Sequence, residues 1–335
     1  MTKPGIALVI GATGGIGGEV ARALLAQGWE VRALHRDPEK ARQSSSRIGK
    51  IEWVAGDAMN RADVIAAAEG ASVIFHGANP PAYRNWRGLA LPMLANAIAA
   101  AKASGARLVF PGNIYNYGPD AWPVVDEASP QHPATRKGAI RVEMEQMLRH
   151  AADDGVRSLV VRAGDFFGVS APSSWFQTVM VRPGRRLRSV VYPGARDVGH
   201  AWAYLPDLAQ AIVRLIAIEA RLPAFETVHF GGQWVRRGVE MAEAVRHAAG
   251  DPSLPIRRFP WPVVYIAAPF VNLFREMIEM RYLWRTAVQL DNRKLVALIG
   301  PEPHTPLDVA VRETLRELGC VPASPAPSPL PSVAL

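Results

Sequence analysis

The chain is poor in cysteine, in long apolar runs and in clustered charge, and each shortage excludes a class of protein. Cys320 is the only cysteine among 335 residues, so no internal disulfide can form, which is typical of a reducing cytoplasm. The apolar stretch Trp261–Phe274 is too short to span a bilayer and contains two prolines, which predicts a buried or interfacial helix. The densest basic cluster, Arg185–Arg188, is too short for a nucleic-acid-binding arm. We therefore expect a cytoplasmic protein with neither a nucleic-acid nor a membrane partner.

The remaining composition is that of an ordinary globular protein with a basic surface. Hydrophobic residues make up 49% of the chain and charged residues 20%, which leaves ample apolar material for a core. The formal net charge is +8, from 38 basic and 30 acidic residues. A basic surface favours anionic partners, among them dinucleotides and phosphorylated ligands.

The most informative stretch lies at the N-terminus, where an apolar run is followed by spaced glycines. Residues 6–10 predict a buried strand, Gly11, Gly14 and Gly17 follow it, and a helical pattern runs over 19–27. Glycines allow the backbone to turn sharply and to approach a pyrophosphate, and the start of a helix offers free N–H groups to an anion. The alternative is a glycine-rich turn that binds no ligand.

The G-x-x-G-x-x-G spacing, with Thr13 before Gly14, resembles the short-chain dehydrogenase/reductase superfamily in its extended and atypical branches. The resemblance to these NAD(P)-dependent epimerases and dehydratases covers residues 5–318. Strands and helices also alternate up to residue 112, as a parallel sheet with right-handed crossovers requires. We expect an α/β, doubly wound Rossmann fold with a smaller C-terminal substrate lobe. Its predicted divisions are a Rossmann domain of 1–169 to which 201–232 returns, a substrate lobe of 170–200 and 233–320, and a disordered, proline-rich tail of 321–335.

The end of the second predicted strand, residues 30–36, indicates which dinucleotide is bound. An acidic residue at this place selects NAD, because it accepts hydrogen bonds from the ribose hydroxyls. Here the strand ends in His35 and Arg36, and a guanidinium suits a 2′-phosphate. Asp37 precedes Pro38 and is better interpreted as a helix start. The sequence thus favours NADP(H) over NAD(H), unless Arg36 is merely an exposed cation of the loop.

The resemblance implies a set of cofactor contacts at the strand ends. Asp57 matches an acidic residue near the adenine, although it could equally cap the predicted helix 61–69. Phe166 and Phe167 follow the sixth strand and would either wall the nicotinamide or pack in the core. His76 is interpreted as structural. The implied cofactor-binding residues are Gly11, Thr13, Gly14, Gly15, Ile16, Gly17, His35, Arg36, Asp57, Ala58, Gly77, Ala78, Asn79, Lys137, Ala163, Gly164, Asp165 and Phe166.

The largest departure from the family pattern concerns the catalytic pair. The resemblance implies a Tyr-x-x-x-Lys segment, in which the lysine lowers the pKa of a tyrosine one helical turn away. Lys137 fits the lysine, but the residue four positions earlier is Pro133, which can neither donate nor accept a proton. The resemblance therefore carries over Lys137 and not the acid/base tyrosine.

Candidates for the missing proton donor follow the fifth predicted strand. Asn113 stands where the family has a serine or threonine, Tyr115 is a further donor, and Tyr117 with Gly118 matches a Tyr-Gly pair. The predicted catalytic residues are Lys137, Tyr115, Asn113 and Tyr117, with Tyr115 the preferred donor. The alternative for Tyr115 is a packing role.

The resemblance implies an NADP(H)-dependent oxidoreductase or epimerase/dehydratase-like enzyme. It would transfer a hydride to or from a small polar substrate, either a carbonyl compound or a molecule like a nucleotide sugar, while the cofactor supplies the hydride chemistry. No metal site is predicted, and a homodimer is a further expectation from the family. The alternative is a non-catalytic NADP(H)-binding redox sensor, which the missing tyrosine favours.

Overall fold

A computed structural model describes residues 4–45, 48–80 and 85–321. The predicted tail lies outside the described residues from 322 onward. Within them the chain forms 14 strands and 11 α-helices. The strands are β1 Ile6–Ile10, β2 Glu30–His35, β3 Glu52–Ala55, β4 Ala71–His76, β5 Arg107–Asn113, β6 Val124–Val125, β7 Ser158–Ala163, β8 Asp165–Phe167, β9 Val190–Tyr192, β10 His200–Tyr204, β11 Phe225–His229, β12 Gln233–Val235, β13 Ile256–Arg258 and β14 Gln289–Leu290. The helices are α1 Gly15–Ala26, α2 Pro38–Ser44, α3 Arg61–Ala67, α4 Trp86–Ser104, α5 Arg136–Asp153, α6 Leu205–Ala217, α7 Glu240–Ala248, α8 Trp261–Ala267, α9 Asn272–Glu279, α10 Arg293–Ile299 and α11 Leu307–Glu317.

The centre of the molecule is a sheet of seven parallel strands in the order β3-β2-β1-β4-β5-β7-β11. This arrangement confirms the predicted α/β fold with a doubly wound parallel sheet. The order reverses between β1 and β4, where the connections change from one side of β1 to the other. Ligands of open parallel sheets bind outside the carboxyl ends of the strands at such a switch point.

Helices cover both faces of the sheet, which explains why its strands are apolar throughout. Val20 of α1 and Ile212 of α6 are completely buried on one face. Leu94 of α4 and Leu148 of α5 are completely buried on the other. The sheet therefore acts as a rigid platform whose strand ends are free to carry a site.

The elements beyond the carboxyl ends of the strands are shorter. β8 follows β7 directly and pairs with β10, which also pairs with β12. Two further pairs, β9 with β13 and β6 with β14, tie residues 190–192 and 124–125 to the C-terminal part of the chain. The later segments of the chain thus fold back over the edge where β5 and β7 end.

Two local predictions were wrong. The stretch Trp261–Phe274 is not one helix, because α8 ends at Ala267 and α9 begins at Asn272. Asn60, not Asp57, caps α3 by accepting the N–H of Ala62.

Candidate active site

In the glycine turn after β1, Gly11 and Gly17 occupy positions where a side chain would not fit. Gly11 has φ +93°, and a Cβ on it would lie 2.8 Å from the backbone of Gly77 and Ala78 at the end of β4. A Cβ on Gly17 would lie 2.2 Å from the carbonyl oxygen of Gly11. The structure thus brings the predicted residues of both strand ends together. The glycines hold α1 close to the end of β1, which is the cradle that a dinucleotide pyrophosphate requires.

The N-terminus of α1 is open to an anion. Gly14 occupies the capping position and, having no side chain, makes no side-chain cap hydrogen bond. Thr13 beside it is exposed, whereas Ile16 is buried under the turn. The positive end of the helix dipole and the free N–H groups at this place favour a phosphate.

The residues after β2 are arranged as a cationic site would require. Arg36 is exposed and has no hydrogen bond or ion pair with any residue that the structure describes. His35 accepts the N–H of Asp37 through Nδ1 at 3.0 Å, and the Asp37 carboxylate accepts the N–H of Lys40. The Asp37 carboxylate is therefore engaged as the cap of α2, and the guanidinium of Arg36 stays available.

Two other predicted cofactor contacts lie in the turn after β3. Asp57 accepts the N–H of Met59 at 3.0 Å, and its own N–H donates to Asp63. The carbonyl oxygen of Ala58 accepts the side-chain amide of Asn96 at 2.9 Å. This turn is held by its neighbours in a fixed shape, next to the end of β2 with which β3 pairs.

Lys137 lies in the first turn of α5, which Thr135 caps through the N–H of Gly138. Its side chain is 3% exposed, and Nζ donates to Glu276 and, at 2.7 Å, to Glu279. Burial favours the neutral form of Glu279, but hydrogen bonds and the charge of Lys137 outweigh it and keep its pKa below the usual range. The lysine is thus a buried cation held by two carboxylates.

The two glutamates were missed by the sequence analysis. They lie on α9, more than 130 residues after Lys137, and only the three-dimensional fold brings them to it. The available signal was a pair of acids spaced i, i+3 directly after a long uncharged stretch, which places both on one face of a helix.

Asn113 and Tyr115 sit at the end of β5, beside the start of α5. The Asn113 side chain accepts the N–H of Tyr115 at 3.0 Å and so starts a single 3₁₀ turn over Ile114–Asn116. Tyr115 is 9% exposed. Its carbonyl oxygen is so close to Gly138 that a Cβ there would lie 2.3 Å away. The backbone of Tyr115 therefore touches Gly138, the residue after Lys137, and the pairing of the Tyr115 hydroxyl with the Lys137 ammonium stays a prediction.

The Tyr117 side chain lies inside the core. It is completely buried, and its hydroxyl lies 2.6 Å from Nε2 of His229 and accepts a hydrogen bond from Arg162. Arg162 also donates to Glu145, with 3.1 Å between Nε and Oε1. Since this hydroxyl is engaged inside the core, Tyr117 is the least accessible of the predicted donors.

A further polar cluster lies after β7, around the predicted residue Asp165. Its carboxylate is 2.9 Å from Nε2 of His200, whose ring stacks on Trp284 with 4.1 Å between ring centroids. A Cβ on Gly164 would lie 2.3 Å from the carbonyl oxygen of Ala201, so this loop is locked against β10. The hydroxyl of Tyr282 is buried without a hydrogen-bond partner, and burial together with the charges of Asp165 and Glu279 raises its pKa.

Phe166 and Phe167 differ in their environments. Phe167 is completely buried and packs against Trp202, Phe176 and Tyr204, so it belongs to the core. Phe166 is half-buried and stays the only one of the two with a surface to offer a ligand.

A cavity of about 370 Å³ opens beside this cluster. Arginines and aromatic rings dominate its wall, and Asp197 is the one acidic residue that lines it. The arginines are Arg196, Arg258, Arg281 and Arg285, and the rings are those of Tyr192, Phe259, Trp261 and Trp284. Such a wall suits an anionic ligand with a flat or apolar part.

His76, at the end of β4, is a buried neutral histidine. It is 1% exposed, stacks on Phe110 and has no hydrogen-bond partner on either ring nitrogen. Burial, with a smaller effect from Arg141, lowers its pKa to about 4. Burial and the charge of Arg162 lower the pKa of His229 to about 3. Because the folded protein favours the neutral form of both histidines, each contributes to the free energy of unfolding in full above pH 6.5. This contribution is lost as the pH falls toward the lowered pKa values.

We expect His76→Phe to weaken the acid sensitivity of the fold. A histidine with a pKa of about 4 in the folded protein lowers the free energy of unfolding by roughly 2 kcal/mol between neutral pH and pH 5. The phenylalanine keeps the stacking on Phe110 and removes this loss. Urea unfolding at pH 7.5 and pH 5 measures the difference, with His150→Gln, an exposed position on α5, as control. An equal pH dependence of wild type and His76→Phe would contradict the assignment.

Comparison with known proteins agrees with the glycine turn and the sheet. Residues 11–166 match the family model described as NAD(P)H-binding. The whole chain also shares its fold with a UDP-glucose-4-epimerase from Stenotrophomonas maltophila, solved with bound NAD and formylated UDP-arabinopyranose. The TM-score is 0.74 and the identity 16%, over 94% of this chain and 98% of that one.

A dTDP-glucose 4,6-dehydratase from Streptomyces venezuelae, solved with NAD and DAU bound, has the same fold. Its TM-score is 0.71 and its identity 18%, over 93% of this chain and 96% of that one. These two likenesses confirm the predicted Rossmann fold.

A relative in sequence is the 3-diazoavenalumate denitrifying reductase of a Streptomyces species. The two chains are 31% identical over 176 residues, which is 48% of this chain. The match spans 56% of that reductase, a little more than half its length.

Proposed function

We propose that this protein is an NADP(H)-dependent oxidoreductase or epimerase-like enzyme that transfers a hydride to or from a small polar, anionic substrate. The observation that carries the proposal is the arrangement along one edge of the sheet. The glycine cradle lies after β1, the buried cation of Lys137 at the head of α5, and the arginine-lined cavity beyond β7. A bound cofactor would supply the hydride chemistry, and the residues of the chain would bind, orient and move protons.

The choice of NADP(H) rests on Arg36. Its guanidinium is exposed and unpaired among the described residues, and the neighbouring Asp37 carboxylate is occupied by α2. A planar guanidinium can bind a 2′-phosphate through two parallel hydrogen bonds.

We expect NADPH to bind more tightly than NADH, and Arg36→Asp to abolish or invert the preference. Loss of the charge-assisted pair should cost about 1.5–3 kcal/mol for NADPH and little for NADH. Fluorescence titration with both nucleotides measures the change. Arg221→Asp, an exposed arginine far from β2, alters the net charge equally and should leave the preference unchanged. Equal affinities of the wild type for both nucleotides would refute the assignment.

The arginine-lined cavity supports an anionic substrate. The neighbouring structures hold UDP or dTDP sugars or act on them, and the related reductase acts on 3-diazoavenalumate. Four guanidiniums and four aromatic rings suit the phosphates of a nucleotide sugar as well as an aromatic carboxylate. A panel containing both classes, screened for NADPH oxidation or for sugar epimerisation, would decide between them.

We assign the proton-transfer role to Tyr115 and Lys137. The carbonyl oxygen of Tyr115 adjoins Gly138, the residue after Lys137, which supports a phenol and an ammonium that act together in proton transfer. Glu276 and Glu279 are positioning residues, because they hold Lys137 rather than approach the reacting atoms. Asn113 is engaged in the turn before Tyr115 and supports its position.

The sensor alternative predicts tight NADPH binding without turnover. The buried Lys137 and the fixed loop around Asp165 favour an enzyme, since a sensor requires neither. If compounds of both substrate classes leave bound NADPH unoxidised and no sugar is epimerised, the enzyme proposal fails. Light scattering on the same sample would test the family expectation of a homodimer.

A further inference from the structure

The segment between β13 and Arg275 has an unusual surface. From Phe259 to Phe274 it contains no charged residue, and it forms α8, a turn and the start of α9. Six of the nine large hydrophobic side chains exposed among the described residues lie here. We define them as the apolar wedge: Val263, Tyr265, Ile266, Phe270, Val271 and Leu273. Phe270 is 88% exposed and Ile266 76%.

The wedge stands on a folded base. Trp261 and Val264 of α8 are buried, and Nε1 of Trp261 donates to the carbonyl oxygen of Pro193 at 2.8 Å. On α9, Met277 is buried, and α8 packs against α9. Ile266 is thus exposed on α8 and Phe270 on the turn between two packed helices, and burial of this patch against another body would remove its apolar surface from water.

The charges next to the wedge in the sequence have one sign. From Pro252 to Arg275 the chain contains three arginines, Arg257, Arg258 and Arg275, and no acidic residue. All three arginines are exposed. The next acids, Glu276 and Glu279, face Lys137 and contribute little to the outer surface.

From this combination we propose that the apolar wedge docks the protein on an anionic lipid bilayer. Interfacial helices bury apolar and aromatic side chains at the boundary of headgroups and acyl chains, while arginines pair with anionic headgroups. A second copy of the chain is a poorer occupant, because a two-fold symmetric contact would bring both sets of arginines together. No helix in the described ranges is long and apolar enough to cross a membrane, so the wedge would enter one leaflet only.

Docking would also orient the proposed active site. The helix that carries Leu273 of the wedge carries Glu276 and Glu279, which hold Lys137. The lysine end of the site would thus lie next to the lipid surface. The lipid proposal does not depend on the proposed function, because it can be tested without substrate or cofactor.

The test is co-sedimentation of the full chain with vesicles. We expect binding to vesicles of 70% phosphatidylcholine and 30% phosphatidylglycerol, and much weaker binding to pure phosphatidylcholine. Ile266→Ser with Phe270→Ser should lower the partition coefficient by roughly tenfold or more, since both side chains lose the burial that drives insertion. Arg257→Ser with Arg258→Ser should lower it by roughly fivefold for each charge and reduce its salt dependence.

Matched controls are Val124→Ser and Val296→Ser, which remove exposed apolar side chains elsewhere, 54% and 39% exposed; these should bind as the wild type does. Circular dichroism and thermal melting establish that each variant is folded, and Phe270→Ser alone replaces the double variant if that one is not. The proposal is overturned if the wild type binds neither vesicle or if the wedge variant binds as well as the wild type. It is equally overturned if light scattering finds a dimer that the wedge variant converts to a monomer.

Discussion

Glu145→Ala should lower the free energy of unfolding by about 3–5 kcal/mol, the cost of leaving one partner of a buried ion pair uncompensated. Arg162 is 1% exposed and the Glu145 side chain 4%, so water cannot replace the lost carboxylate. The guanidinium would then face only the hydroxyl of Tyr117 and His229. Because burial and Arg162 already hold His229 neutral, protonation of that ring offers no relief.

The same helix offers a matched control. Glu143 lies two residues earlier on α5 and pairs with Arg87 at 2.6 Å, but these side chains are 38% and 64% exposed. Glu143→Ala should cost at most about 1 kcal/mol. The double variant Glu145→Leu with Arg162→Met should regain most of the loss, because a buried pair can be replaced by apolar residues. Urea midpoints measure all three, and similar losses for Glu143→Ala and Glu145→Ala would contradict the role given to burial.

The sheet was predictable because its strands are buried on both faces. A strand of that kind is a short apolar run between turn residues, and Ile6–Ile10 and Ala71–His76 follow this pattern closely. The first and last residues of each strand were harder to predict. Val156 is an apolar residue just before β7, but Gly155 at φ +82° follows the end of α5 and the N–H of Val156 donates back to the carbonyl oxygen of Ala151. The ladder therefore starts at Ser158.

The candidate site was predictable only where local sequence forms it. The glycine turn is contiguous in sequence, and Arg36 is placed by the end of its strand. The surroundings of Lys137 depend on α9, and those of Asp165 on His200. Such long-range pairs leave no periodic signal, since each is a single contact between distant segments. The same limit applies to the apolar wedge, because an uncharged stretch does not reveal which of its side chains face outward.

Tyr115→Phe should reduce turnover by about 10²–10⁴-fold while leaving the affinity for NADPH intact, because it removes the proposed proton donor and keeps the ring. The ring stays in place, so the loss should appear in kcat rather than in stability. Lys137→Ala should lower both NADPH affinity and turnover, and it would also leave Glu276 and Glu279 without their shared cation.

Two other tyrosines serve as comparators for this test. Tyr117→Phe removes a hydroxyl that Arg162 and His229 share in the core, so it should lower stability and leave the turnover of the folded enzyme near that of the wild type. Tyr282→Phe removes a buried hydroxyl without a partner and should leave both nearly unchanged. Turnover is measured on a substrate found by the NADPH-oxidation screen, at several pH values. Full activity of Tyr115→Phe together with a large loss for Tyr282→Phe would transfer the proton-donor role to Tyr282, whose hydroxyl lies within the field of Asp165 and Glu279.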